Sequence, residues 1–262
     1  MFENKVVFVS GSGRGIGAAI ALHFASQGAN VVVNYFRNRE PAEETAEGIR
    51  KLGRKALVVK ANMGEIEDIK RLFNTIEQEF HGLDIFIHNA ASGYNRPVME
   101  QKAKGWDWTM NINARSLLFA AQRAVPLMEK RGGGAMVAIS SPGAGRVLPD
   151  YVVVGASKAA IEAITRYLAV ELAPKNITVN AVAPGMVLTD ALQHFEMVRS
   201  DAHLAEKATR ITPADRLVTP QDVANVVAFL CSPEANMIRG QVITVDGGAS
   251  LLAPGLGQTP AS

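Results

Sequence analysis

The chain has 262 residues, 48% of them hydrophobic and 20% charged, with a formal net charge of +2. That length suits one α/β domain with a sizeable core, and no Pro/Gly/Ser-rich linker or abrupt change of charge divides it before its end. Balanced charge gives no reason to expect nucleic acid, the single cysteine Cys231 excludes an intrachain disulfide, and the apolar run behind Met1–Lys5 is too short for a secretory signal or a membrane span. The expectation is a soluble, cytoplasmic protein.

Short β-branched runs alternate with longer amphipathic stretches. The first run, Val6–Val9, leads into Ser10-Gly11-Ser12-Gly13-Arg14-Gly15-Ile16-Gly17 and then a helix over Ile16–Gln27. A glycine-rich turn between strand and helix is the setting in which such a pattern binds a dinucleotide. Gly11 permits the tight turn, Gly15 lets the backbone approach a pyrophosphate, and Gly17 lets helix and strand pack closely. A second strand, Val31–Asn34, is followed by Tyr35-Phe36-Arg37, with no carboxylate before Glu40 to receive a ribose 2′-hydroxyl. Two readings of Arg14 and Arg37 stand: partners of a 2′-phosphate, or solvated surface residues. The first makes NADPH the expected cofactor.

A helix over Glu40–Leu52 precedes a strand at Ala56–Val59, and a helix over Ile66–Phe80 precedes one at Asp84–His88. One long helix is expected over Gly105–Lys130, then a strand at Ala135–Ile139 and a helix over Val152–Leu172. Strands at Thr178–Val182 and Gln241–Val245 flank a helix over Gln221–Leu230. Strands apolar at nearly every position suit a sheet covered on both faces, and strict βαβ alternation makes that sheet parallel. The expected fold is therefore α/β: a single-domain, doubly wound parallel Rossmann sheet over residues 1–253, with a fraying tail at 254–262. His23, His81, His88 and His194 show no ligand spacing, so no metal is expected. Trp106 and Trp108 read as anchors of the long helix.

Further motifs resemble the short-chain dehydrogenase/reductase family over nearly the whole chain. Asn89-Ala90-Ala91 follows the fourth strand where that family usually has Asn-Ala-Gly, and Asn113 matches its helix asparagine. Ser140-Ser141 ends the fifth strand, Pro184-Gly185 follows the sixth, and Asp246-Gly247-Gly248 closes the last. The family's usual pair is Tyr-x-x-x-Lys, but Val154 occupies the tyrosine position and Tyr151 stands seven residues before Lys158. On a helix both spacings share one face, and the longer moves the phenol about 4–5 Å further from the ammonium.

That displacement suits conjugate reduction, in which hydride enters C3 of an enoyl thioester while charge develops on the oxygen at C1. Tyr-x6-Lys, with Trp106–Ala114, Thr165–Ala173 and Met237–Gly248, resembles the type III enoyl-acyl-carrier-protein reductases of bacterial fatty-acid synthesis. The resemblance implies NADPH-dependent reduction of an enoyl thioester on acyl carrier protein, by a homotetramer paired through the helices from Gly105 and Val152. Tyr151 would stabilise the enolate, with a phenol pKa lowered by the field of Lys158. Ser141 is either a substrate contact or a strand-end cap. Asn113 is either the holder of a relay water or a support for a kinked helix.

Cofactor contacts implied are Gly11, Ser12, Arg14, Gly15, Ile16, Gly17, Arg37, Asn62, Met63, Asn89, Ala90, Lys158, Pro184, Gly185, Val187 and Thr189. Asn62 reads equally as an adenine neighbour or a loop cap. A lid is expected over 191–211, offering Leu192, Phe195, Met197, Val198 and Leu204 to an acyl chain. Arg199, His203 and Lys207 share one helical face, which would either receive an acidic carrier protein or be merely solvated. Two other functions remain open: reduction of 3-oxoacyl carrier protein or another ketone, and nonenzymatic sensing of NADP(H).

Overall fold

A computed structural model describes residues 1–187, 189 and 203–252. Seven strands form one parallel sheet in the order β3-β2-β1-β4-β5-β6-β7. They are β1 (Val6–Val9), β2 (Asn30–Tyr35), β3 (Ala56–Lys60), β4 (Ile85–His88), β5 (Gly134–Ile139), β6 (Ile177–Pro184) and β7 (Val242–Val245). The doubly wound sheet expected from the alternation is thus present, with strand ends within two residues of those read from the sequence.

Alternation along β1 assigns its side chains to two layers. Val6 and Phe8 join one core with α3 (Ile66–Phe80), α5 (Ser116–Glu129) and α6 (Val152–Glu171). Val7 and Val9 join the other with α1 (Gly15–Ser26), α2 (Glu40–Lys51) and α8 (Pro220–Leu230). Phe8 stacks on Phe86 at 5.2 Å between centroids and takes Phe73 edge-on at 5.4 Å, which fixes α3 against the centre of the sheet. A seventh helix, α7, covers Leu204–Arg210. Chain order reverses between β1 and β4, so a crevice opens beyond their carboxyl ends.

The single helix expected over Gly105–Lys130 is broken. α4 (Ala103–Met110) runs into a π-turn at Asn111–Arg115 before α5 begins. The hydroxyl of Ser116 donates to the carbonyl of Ile112 at 2.5 Å, taking an acceptor inside the turn. His88 Nε2 lies 2.7 Å from that same hydroxyl, so the turn is pinned to the end of β4. Hydrophobic periodicity continues through the break, which is why the sequence reads as one helix.

Candidate active site

The β1–α1 turn is held by its own neighbours. Gly11 N–H donates to Asn34 Oδ1 at 3.0 Å, and Asn34 Nδ2 donates to the carbonyls of Val59 and Ala61 at 3.2 and 3.1 Å. Ser12 Oγ donates to Val9 O and accepts from Asn34 N–H. Asn89 Nδ2 donates to the carbonyls of Ser10 and Gly11, and Ser10 Oγ accepts from the N–H groups of Asn89 and Ala90. Asn34, buried at the end of β2, therefore organises the turn. The sequence reading treated it only as a strand residue, because its polarity there looked like a strand end.

The second cluster surrounds Tyr151. This residue does not lie on a helical face shared with Lys158, as the spacing predicts. It is the N-cap of α6, and its carbonyl accepts the first helical bond, from Gly155 N–H at 2.7 Å. Local packing, not helical period, sets the direction of its ring. A Cβ on Gly143 would lie 2.6 Å from Tyr151 Cε1, and one on Gly155 would lie 2.7 Å from Gly143 O. Gly143 thus lets the ring approach its backbone, and Gly155 lets that backbone approach α6, a requirement invisible in one sequence. Tyr151 Oη donates to Ser141 Oγ at 3.3 Å, and Gly143 N–H donates to the same oxygen at 3.2 Å. Val154, in the family's tyrosine position, is buried, and Gly93 leaves room for it: a Cβ there would lie 2.2 Å from Val154 Cγ2.

Lys158 is 6% exposed and donates to Ile139 O at 2.7 Å. Burial lowers its pKa to about 8. Burial also raises the phenol of Tyr151, while the Ser141 hydrogen bond pulls it down. The lowered phenol expected from the sequence is absent here, because loss of solvent outweighs that bond. His88, paired in register with Ala138 beside Ile139, is pushed to about 3 by burial and then by the charge of Lys158. Since Ser116 gives its proton to Ile112, His88 donates through Nε2, leaving Nδ1 as a buried acceptor with no hydrogen-bond partner among the described residues.

Asn113 is fully buried in the π-turn. Its Oδ1 accepts from Ser92 N–H, and its Nδ2 donates to Ser92 O and Ser157 Oγ, all at 2.9 Å. It fastens the irregular segment that follows β4 to α6. Asn62 Oδ1 accepts from Gly64 N–H, the loop-capping geometry. Ile16 packs against one core layer and the buried Met63 belongs to the other, while Gly185 N–H donates to Val245 O and Val187 bridges Val218. Thr189 faces the turn: a Cβ on Gly15 would lie 3.5 Å from its Cγ2. Arg14 and Arg37 are exposed, and the Arg37 guanidinium sits 5.8 and 5.9 Å from the ring centroids of Phe36 and Trp108. Trp108 donates to Ser92 Oγ at 2.9 Å, whereas Trp106 is 44% exposed and does not anchor its helix. Of the expected lid, Leu192, Phe195, Met197, Val198 and Arg199 lie outside the described residues. His203 lies 3.4 Å from Glu206, and α7 follows it.

A family model described as enoyl-(acyl carrier protein) reductase matches residues 11–250. The chain belongs to the short-chain dehydrogenase/reductase family. It is an oxidoreductase of that family. It is similar to 1-cyclohexenylcarbonyl-CoA reductase of Streptomyces collinus, at 38% identity over 96% of this chain and 89% of that one. It is also similar to hydroxynaphthalene reductase-like protein Arp2 of Metarhizium anisopliae, at 38% identity over 94% of each chain. Among solved structures, L-sorbose reductase from Gluconobacter frateurii, complexed with NADPH and L-sorbose, superposes with a TM-score of 0.90 at 30% identity, covering 96% of this chain and 98% of that one. A 7α-hydroxysteroid dehydrogenase complexed with NADH and 7-oxo glycochenodeoxycholic acid superposes with a TM-score of 0.89 at 34% identity, covering 94% of each.

The turn after β1 fits the dinucleotide of this family. Gly11 and Gly15 have φ of +64° and +57°, and a Cβ on Gly17 would stand 2.5 Å from both Asn89 Nδ2 and Gly11 O. Among the described residues no side chain caps the first turn of α1, and that turn contains no acidic residue. Its N–H groups and helix dipole are thus left to an anion.

Proposed function

We propose that this chain reduces the C2=C3 double bond of an enoyl thioester carried by acyl carrier protein, using NADPH. The observation that carries the reading is the position of the phenol. Tyr151 enters from the residue before α6, with Val154 filling the usual tyrosine position, so the donor is displaced along α6 from that position. The first turn of α1 and the glycines before it would hold the pyrophosphate, Thr189 would face it, and Arg14 and Arg37 would meet the 2′-phosphate. When bound, the cofactor supplies a hydride to C3. Tyr151 donates a hydrogen bond to the thioester oxygen as enolate charge develops there, and Ser141 orients the phenol. Lys158 provides a positive field beside it while protonated. The name of the Streptomyces relative supports the reading, since it describes a thioester whose carbonyl adjoins a ring double bond.

The same proposal includes a homotetramer paired through α5 and α6, where Leu118, Tyr167 and Val170 are exposed apolar residues. The deciding assay follows NADPH and NADH oxidation with a trans-2-enoyl thioester beside the matching 3-oxo thioester. Turnover of the 3-oxo compound alone overturns the assignment. That second reading, ketone reduction, is favoured by the Tyr151–Ser141 hydroxyl pair, which suits protonation of a carbonyl oxygen.

A further inference from the structure

Beside the Tyr151 corner opens a cleft of about 760 Å³, lined in part by Arg37, Tyr94, Arg96, Lys102, Lys104 and Trp108. Arg37 is assigned above to the cofactor; the other three cations, Arg96, Lys102 and Lys104, face one carboxylate, Asp107, and none of the three forms an ion pair among the described residues. Paired cations do occur elsewhere in the fold, such as Arg54 with Glu3 and Arg216 with Asp222, but what marks this group is its concentration in one concave wall. Uncompensated positive charge in a concave wall focuses the field on a multiply charged anion, and guanidinium forks match phosphate. Trp108 and Tyr94 add flat apolar faces, and the Arg37 guanidinium already lies 5.9 Å from the Trp108 ring.

The cleft is joined to the reacting end. Arg96 N–H donates to Asp150 O at 2.9 Å, one residue before Tyr151. Gly93, one residue before Tyr94, leaves the space that Val154 fills at the start of α6. A ligand with its charged head among these cations therefore has a short path along residues 94–96 to the phenol.

We infer that this cleft binds the 3′-phosphoadenosine diphosphate head of a coenzyme A thioester, so that the chain accepts its acyl group on coenzyme A as well as on carrier protein. The inference rests on the thioester reading above. An adenosine head with three phosphates matches a concave wall with aromatic faces and three cations left free by the cofactor. Carrier protein brings a single pantetheine phosphate and no base.

Two measurements test it with the full chain and the double variant Lys102→Ala/Lys104→Ala, whose side chains are exposed. In the first, calorimetry with adenosine 3′,5′-bisphosphate under saturating NADP⁺ should show binding that weakens as salt rises and at least tenfold in the variant. No binding to the wild type overturns the inference. In the second, the kcat/KM ratio of 2-butenoyl-CoA to the N-acetylcysteamine thioester should fall at least tenfold in the variant, and an unchanged ratio overturns it. If the variant instead loses tenfold in NADPH affinity, the cleft serves the cofactor and the inference fails. Bisphosphate binding without turnover of any thioester supports the anion site while refuting the proposed reaction.

Discussion

The turn after β1 and the corner around Tyr151 are built in opposite ways. The turn is a closed network in which Asn34, Ser10, Ser12 and Asn89 bind backbone in the turn and on four adjacent strands, β3, β2, β1 and β4. At the corner, Ser141 Oγ accepts two hydrogen bonds and the Tyr151 ring rests where Gly143 has no Cβ. A polar network bonded to backbone holds its shape before ligand arrives, whereas the corner presents its hydroxyl groups for chemistry. Binding and chemistry should therefore separate cleanly on mutation.

The sharpest break is Tyr151→Phe. Removing the hydroxyl should lower kcat about 100-fold or more, because a hydrogen bond made to developing charge acts on the transition state. NADPH affinity, measured by fluorescence titration, should stay within about twofold. Equal loss of both would show that the two regions are one unit.

Gly17→Ala tests the other side. The added methyl would lie 2.5 Å from Asn89 Nδ2 and from Gly11 O, and the latter is backbone that cannot swing away. Overpacking of this kind costs about 1–3 kcal/mol, read as a lower Tm. Affinity for NADPH should fall about tenfold or more, since the turn that receives the phosphates must shift. An unchanged affinity would mean that the turn is softer than its hydrogen bonds indicate.

How far each region is legible in the sequence follows from the same contrast. Gly11, Gly15 and Gly17 act within a few residues of one another, between a recognisable strand and helix, so their roles can be read locally. Asn34 is harder, because its partners Val59 and Ala61 come from the next strand. At the corner, Tyr151 and Lys158 announce themselves by spacing, yet the shared helical face does not exist, since Tyr151 precedes α6. Gly143 and Gly155 look like ordinary glycines until the ring approaches the first and backbone the second. The π-turn is hidden because Ile112 and Ala114 keep the apolar pattern going while His88 and Ser116 hold the break.

Gly143→Ala exploits that hidden dependence. A methyl 2.6 Å from Tyr151 Cε1 must displace the ring and with it the hydrogen bond to Ser141. Lower kcat, by about tenfold, is expected with little change in NADPH affinity, because misplacement by a fraction of an ångström degrades a near-attack geometry. Full activity would show that the ring position seen here is not the working one.

The smallest effect concerns Lys158, where the corner meets the sheet. Its pKa is about 8 in the fold, against an ordinary value of 10.5. Between those values the unfolded chain holds a proton that the folded chain has released, so stability rises with pH in that window. His88, held near 3, stays neutral throughout, and the phenol of Tyr151 is raised rather than brought into the range. The difference in unfolding free energy between wild type and Lys158→Met should therefore move in favour of wild type by about 1 kcal/mol from pH 8 to pH 9. Urea titrations of the ligand-free proteins measure it, and other titrating groups cancel in the difference. Activity should show the opposite trend if Lys158 acts as proposed: its charge is lost as it deprotonates, so kcat/KM falls as pH rises through about 8. A flat stability difference with a falling rate would place the titration on another group. A flat rate with rising stability would mean that the corner works without the charge.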